Sequence, residues 1–407
     1  MTGDSQGNLT IWAPYEVDKV LEFAIKEVKG HESQLTCFKM TKENILISGD
    51  RDGVIKTWDV NDNEFRLVNA VKLPSISGSV SAITPPNKLD ESMDIYIGTS
   101  NNFILKGSAI QTEDYQIIFE GHYMAIRTCS LDYDNNIYTA SLDRKICKWN
   151  DYGLAWKTDS SIQGMSSSVH PAGQVLAVGS ATGIIAIVNT GSGEPIQYIQ
   201  LTTVCIGCMS YSPNGDFLVA GCQDGCLHVI PVRDNGLTYD KVSILKGPLP
   251  ILTLQWSIDT QFILTSVDDN NFQELILWDL PNTRYIRNVT SFSDNLQWCN
   301  VTCSGLEDAR GTWDNEKFKD VINICKNYSP TLKCIVTGDE NGFIRLFAYP
   351  CYDTKASYFQ YKQGGGSVTD VKFAPNEAFI ATCNFDGTVF VWRLIEYPKL
   401  SKTMTKS

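Results

Sequence analysis

The stretch Ser48-Gly49-Asp50-Arg51-Asp52-Gly53-Val54-Ile55-Lys56-Thr57-Trp58 reads as a β-hairpin. Asp52-Gly53 supplies the positive φ values that a tight primed turn demands, and alternation on both sides makes one face apolar. The pattern recurs, ending each time on an aromatic or large apolar residue five places after the glycine. It runs from Gln6-Gly7 to Trp12, Thr182-Gly183 to Val188, Asp224-Gly225 to Ile230, Asn341-Gly342 to Phe347 and Asp386-Gly387 to Trp392. Two further copies end at Trp149 and Trp278 with altered turns, and one without tryptophan ends near Leu105. The endpoints 12, 58, 105, 149, 188, 230, 278, 347 and 392 lie 46, 47, 44, 39, 42, 48, 69 and 45 residues apart. Four short strands repeated at this period, with an aromatic mark in each unit, are the signature of a WD-type propeller blade. The expected fold is an all-β WD40-type β-propeller.

Two units carry a complete polar network for such a blade. Gly30-His31 precedes the first strand of one, with Ser48, Asp52 and Trp58 following. Gly121-His122 precedes the other, with Thr139, Asp143 and Trp149. A histidine beside an aspartate resembles a catalytic dyad, but here the pattern predicts a buried structural chain of hydrogen bonds, each contributing about 0.5–1.5 kcal/mol. The marks from Trp58 to Trp392 predict an eight-bladed ring over residues 17–396. Lys19–Ile25 reads as an outermost strand that closes it by pairing with the C-terminal blade, which would remove an exposed edge. Residues 1–16 are then the remnant hairpin of a preceding blade, and 397–407 a polar tail.

Lys+Arg 34 against Asp+Glu 46 gives a net charge of −12. That balance argues against nucleic acid or an anionic membrane surface as partner, since phosphate binding needs clustered Lys and Arg. No apolar run approaches the ~18 residues of a membrane-spanning helix, and the polar N-terminus does not read as a secretion signal. The 13 cysteines are an odd number scattered through apolar stretches, the habit of buried free thiols in a cytoplasmic protein. The sequons at Asn8, Asn288, Asn300 and Asn327 accordingly read as chance matches. Cys205 and Cys208, three apart on a strand, point to opposite faces and cannot share a metal ion. Gln363-Gly364-Gly365-Gly366-Ser367 lacks the lysine and following helix of a phosphate loop. Of the four histidines two are in the network, His170 sits in a turn and His228 on a third strand. No cofactor, metal, small-molecule substrate or catalytic centre is expected.

The 69-residue step between Trp278 and Phe347 holds an insertion at about 290–320 with two tryptophans, Trp298 and Trp313. Two readings stay open: a partner-binding loop anchored by these residues, or a longer segment packed on its own blade. Asp294-Asn295-Leu296-Gln297-Trp298-Cys299-Asn300-Val301-Thr302-Cys303, then Gly311-Thr312-Trp313, then Phe347-Ala348-Tyr349-Pro350-Cys351 resembles the echinoderm microtubule-associated protein-like family. Further matching stretches, Thr2–Asn8, Gly98–Phe103, His170–Gly173 and Tyr211–Leu218, run in family order over nearly the whole chain. The resemblance implies a tandem-propeller protein of which this chain matches the second ring. It also implies a non-catalytic scaffold that binds tubulin or microtubule-linked proteins through its loops and is located on the cytoskeleton. Departures from the family include the missing first ring and Gln363-Gly364 where the last blade should have Gly-His. The alternative is a WD40 adaptor in another assembly, of ciliary or ubiquitin-ligase type.

Overall fold

A computed structural model describes residues 1–14, 21–41, 44–61, 64–84, 94–111, 115–151, 153–269, 272–287, 289, 296–303, 305–312, 314, 323–362 and 366–393. Antiparallel sheets of consecutive strands follow one another along the chain. The chain divides into two compact units, residues 1–123 and 124–407. The Ser48 hairpin lies in the first unit, inside the sheet Leu35–Met40, Ile45–Asp50, Val54–Asn61 and Glu64–Lys72. In the second unit, sheets begin with the first strands Ile126–Leu131, Gly164–Val169, Ile206–Tyr211, Ile251–Trp256, Asn323–Ser329 and Val368–Phe373.

Burial within a sheet follows strand position. The second strands Val175–Ser180 and Cys334–Asp339 are buried at every residue, whereas the fourth strands Pro195–Gln200 and Tyr358–Lys362 are largely exposed. A second strand covered on both faces loses the inside–outside alternation of a half-buried strand and becomes uniformly small and apolar. Glycine recurs there for a steric reason. A Cβ on Gly49 would lie 2.5 Å from Val80, one on Gly179 2.8 Å from Ile206, and one on Gly221 2.7 Å from Ile251. In each case the neighbour begins the first strand of the next sheet. Between the sheets that start at Ile126 and Gly164 the roles reverse: Gly164 sits 2.5 Å, by its missing Cβ, from Ala140 on the second strand.

The first and last sheets of the second unit also touch. Thr369 Oγ1 donates to the Ile126 carbonyl, and the Cys129 amide donates to Asp370 Oδ2 at 2.9 Å. Ala381 and Cys383 share an apolar cluster with Ile126, Cys129 and Ile137.

The termini depart from expectation. Leu21–Lys29, expected to close a ring, pairs within the first unit with Asn8–Pro14, with Asn8 opposite Lys29 and Trp12 opposite Ala24. The hairpin expected to stand apart as 1–16 is therefore part of a three-stranded sheet, and Val368–Phe373, Phe379–Asn384 and Val389–Arg393 form another. Strands separated by a short connection pair at lower entropic cost than strands from opposite ends of the chain. The mark placed near Leu105 also moves. Gly98 opposite Ile104 and Ile95 opposite Gly107 put Gly107 where Trp58 stands in its own sheet. The aromatic is supplied from outside that position: a Cβ on Gly107 would meet the Tyr115 ring at 2.3 Å, and the Tyr115 hydroxyl donates to the Ser108 carbonyl.

Overpacking the contact between sheets tests this account. Gly179→Ala is expected to destabilise the protein by about 1–3 kcal/mol in denaturant unfolding. Gly173→Ala, at a turn with open space around the missing Cβ but a φ of 74°, should cost less, about 1 kcal/mol, from backbone strain alone.

Candidate functional site

The first polar network forms with one change of partner. His31 Nδ1 lies 2.8 Å from Asp50 Oδ2 and its Nε2 2.7 Å from Ser48 Oγ, and Trp58 Nε1 donates to the same Oγ at 2.9 Å. Burial pushes the His31 pKa down against the opposing pull of Asp50, so the ring is neutral near pH 7. A carboxylate only accepts, which places the ring proton on Nδ1 and leaves Nε2 to accept from Ser48. Asp52, assigned to this role from the sequence, is exposed at the turn. Asp50, two residues earlier and buried, replaces it because it ends the second strand beneath the histidine. Its other oxygen accepts the amides of Asp52 and Val54 and so shapes the turn.

The signal for Asp50 is present in the sequence, eight residues before the aromatic mark. At that offset Asp4 accepts the amides of Gln6 and Asn8, Asp339 those of Asn341 and Phe343, and Ser180 Oγ those of Thr182 and Ile184. Such local side-chain acceptors are what Asp and Ser provide in turns. In the second network Trp149 Nε1 donates to Thr139 Oγ1 at 2.9 Å, Asp143 Oδ1 accepts the Lys145 amide, and His122 is fully buried. The Phe347 sheet uses a group the sequence reading missed: Arg345, 3% exposed, donates to Asp339 Oδ2 at 2.6 Å and to Gln360.

The insertion is partly described, and Trp313 lies outside the described residues, as do Gln363–Gly365 and the 397–407 tail. Cys299 N donates to the Trp256 carbonyl and Ile258 N to the Gln297 carbonyl, so this segment lies antiparallel beside the end of the Ile251–Trp256 strand, with Trp298 opposite Ser257. Val301, Cys303, Leu306 and Ala309 are buried with Leu264, Leu277 and Ile335, and half-buried Trp298 packs against the same cluster. A short 3-10 turn, Glu307–Thr312, is tied down by the Phe347–Cys351 stretch. The Tyr349 hydroxyl donates to Asp308, the Cys351 amide to the Asp308 carbonyl, and the Gly311 amide to the Cys351 carbonyl. Gly311 is required there, since a Cβ would meet the Asp353 carbonyl oxygen and Cys351 Sγ at 2.5 Å.

Beneath this segment lies an uncompensated set of polar atoms. Lys326 Nζ, Asp308 Oδ1 and Gln255 Nε2 are buried without hydrogen-bond partners among the described residues. Burial pushes the Lys326 ammonium down to about 8, while Cys303 and Asp308 pull in the opposite direction. The thiols of Cys208 and Cys303 are pushed up by burial, the latter to about 11. Among the described residues no group of three or more His, Cys, Asp or Glu side chains could hold a metal ion.

Two clefts of about 430 Å³ open in the second unit. One is small in lining, formed by Gly207, Gln223, Pro250, Ile251 and Leu252, with no charged side chain. The other lies where four first strands run into their turns. Asp132 and Tyr133 follow one strand, His170 a second, Tyr328 closes a third, and Glu377 follows the fourth. Cys299 and Asn300 of the insertion complete its wall, while their neighbour Trp298 is not part of it. The turns at Asp132 and His170 are bonded internally, and the one at Glu377 is tied to the turn after Asn323–Ser329. Asp132 accepts from the Asn136 amide and the Tyr138 hydroxyl, His170 Nδ1 accepts the Ala172 amide, and Glu377 Oε1 accepts the Thr331 amide.

Repeated antiparallel sheets with Ser or Thr bonded to the marking tryptophan define the class, a WD-repeat protein with a β-propeller fold. The chain belongs to the echinoderm microtubule-associated protein family: residues 130–394 match the model of that family's second beta-propeller, and residues 23–59 match a WD domain, G-beta repeat. It is similar to human echinoderm microtubule-associated protein-like 4, with 28% identity over 100% of this chain and 41% of that protein. The similarity to mouse echinoderm microtubule-associated protein-like 1 is 27% over 97% of this chain and 47% of that one. The chain thus spans less than half the length of these relatives. Among the described residues no helix is long and apolar enough to cross a membrane.

Two substitutions probe the buried polar groups. Ser48→Ala strands both Trp58 Nε1 and His31 Nε2, and is expected to lower stability by about 1–3 kcal/mol. Ser48→Thr should restore most of it, since Thr265 and Thr382 accept from Trp278 and Trp392 elsewhere in the chain. Lys326→Met should stabilise the protein at pH 7 by about 1–3 kcal/mol in denaturant unfolding. Because the folded pKa of about 8 lies below the ordinary 10.5, the unfolded chain binds more protons between these values and the native protein gains stability as pH rises through that window. The advantage of the variant should therefore shrink between pH 8 and 10.5.

Proposed function

We propose that this chain is a non-catalytic WD-repeat scaffold of the cytoplasmic cytoskeleton that binds tubulin or microtubule-linked proteins through its loops. The observation that carries this reading is the similarity along the whole chain to proteins named as microtubule-associated. The structure supports a binding role in physical terms. Turns braced by hydrogen bonds at the strand ends present side chains at low entropic cost, and preorganisation of this kind favours recognition of a protein partner. The insertion contributes Cys299 and Asn300 to that surface, and Trp298 and Trp313 are the residues proposed to anchor a partner near it. The chain's charge of −12 opposes a purely electrostatic attachment to an acidic filament surface, so binding should rest on specific, salt-tolerant contacts.

Size-exclusion chromatography with unpolymerised tubulin at low and physiological salt tests the proposal. The expected outcome is one peak containing both proteins at both salts, weakened by Trp298→Ala or Trp313→Ala. Separate elution at both salts, at micromolar concentrations, overturns it.

A further inference from the structure

The joint between the last and first sheets of the second unit brings two thiols together. Cys383 is the next-to-last residue of Phe379–Asn384, the place that Gly49, Gly179 and Gly221 hold in their own second strands. Cys129 is the fourth residue of Ile126–Leu131, where Ile83, Met209 and Leu254 stand in other first strands. At those other joints a missing side chain receives a β-branched one from the neighbouring first strand. Here both positions carry sulfur, fully buried in one apolar cluster with Ile126, Ile137 and Ala381. The Cys129 amide donates to Asp370, which stands opposite Cys383 in the last sheet, and Thr369 Oγ1 bridges the Cys383 and Ile126 carbonyls. The two thiols share a hydrogen bond.

Two sulfur atoms in contact across a joint between opposite ends of the unit need one chemical change to become a covalent tie. We propose that Cys129 and Cys383 form a redox-sensitive latch, in which a peroxide oxidises the pair to a disulfide that fastens the last sheet of the unit to the first. One thiolate attacks a peroxide oxygen and becomes a sulfenic acid, and water leaves with the thiol's proton. The second thiol attacks that sulfur, the S–S bond forms, and the sulfenic oxygen leaves as a second water. Two thiols and one hydrogen peroxide thus become one disulfide and two waters. In the closed unit the contact with Cys383, together with burial, holds the Cys129 pKa well above the usual thiol range, so this thiol stays protonated and slow to react. Reaction therefore follows transient opening of the joint, where the last sheet has three strands among the described residues and the sheet it meets has four. Reclosure then sets the sulfenic acid against its partner. A bond between strands so far apart in sequence restricts the unfolded chain strongly.

The test treats the full chain with hydrogen peroxide at a concentration that oxidises the exposed Cys299. Remaining thiols are alkylated, and tryptic peptides are mapped with and without reduction. The expected product is a cross-linked peptide containing Cys129 and Cys383 that disappears on reduction. The melting temperature should rise by about 5 °C or more and return to its starting value with dithiothreitol. Cys129→Ala and Cys383→Ala should each lack both the cross-link and the peroxide-dependent rise, whereas Cys299→Ser should keep both. If either core variant fails to fold, the peptide map and melting curve of the wild-type protein decide alone. Absence of the Cys129–Cys383 peptide while Cys299 is oxidised overturns the proposal. So does sulfinic acid at either residue in place of the link, a link that leaves the melting temperature unchanged, or the same rise in Cys129→Ala.

Discussion

The close approach of one sheet to the next is the constraint on which the rest of this structure depends. A second strand buried on both faces can exist only if the following sheet's first strand comes within van der Waals reach, and the missing side chains of Gly49, Gly179 and Gly221 make room for it. The contact links levels of structure: a backbone that lacks Cβ locally allows a β-branched side chain from the next repeat to fill the gap. Packing of this kind places the ends of successive first strands side by side, and the cleft with Asp132, His170, Tyr328 and Glu377 is a product of that placement.

Polar groups in the same interior are handled in two ways. Around Ser48 every donor finds an acceptor, and two strands of one sheet and the turn before it are pinned through a single hydroxyl. Arg345 and Asp339 solve the same problem with a buried ion pair, at a greater desolvation cost that good geometry must offset. Beneath the insertion, Lys326, Asp308 and Gln255 each hold one polar atom without a partner among the described residues. Val301, Cys303 and Ala309 bury apolar surface alongside these atoms, which is stabilising.

The described part of the insertion favours the reading of a segment packed on its own blade. Most of its described part is packing: it bridges to the end of one strand, joins an apolar cluster and is tied to Tyr349 and Cys351. Yet two of its residues reach the cleft. A segment held this firmly presents those residues without the ordering cost that a loose loop carries.

The sequence by itself determined the repeat, the strands and the marking tryptophans, because turn chemistry and hydrophobic alternation are local and leave their period in the chain. It also identified His31, Ser48 and Trp58, which lie at fixed offsets within one hairpin and its preceding turn. It misassigned Asp52 because two aspartates stand two residues apart, and only burial distinguishes the one under the histidine from the one at the turn tip. It did not reveal the pairing of Leu21–Lys29 with Asn8–Pro14, because a lone amphipathic strand carries no label for its partner and loop entropy favours the near neighbour. The cleft was illegible for a related reason. Asp132, Asn300 and Glu377 are far apart in sequence and unremarkable in their own turns, and only the packing of one sheet on the next brings them to a common wall.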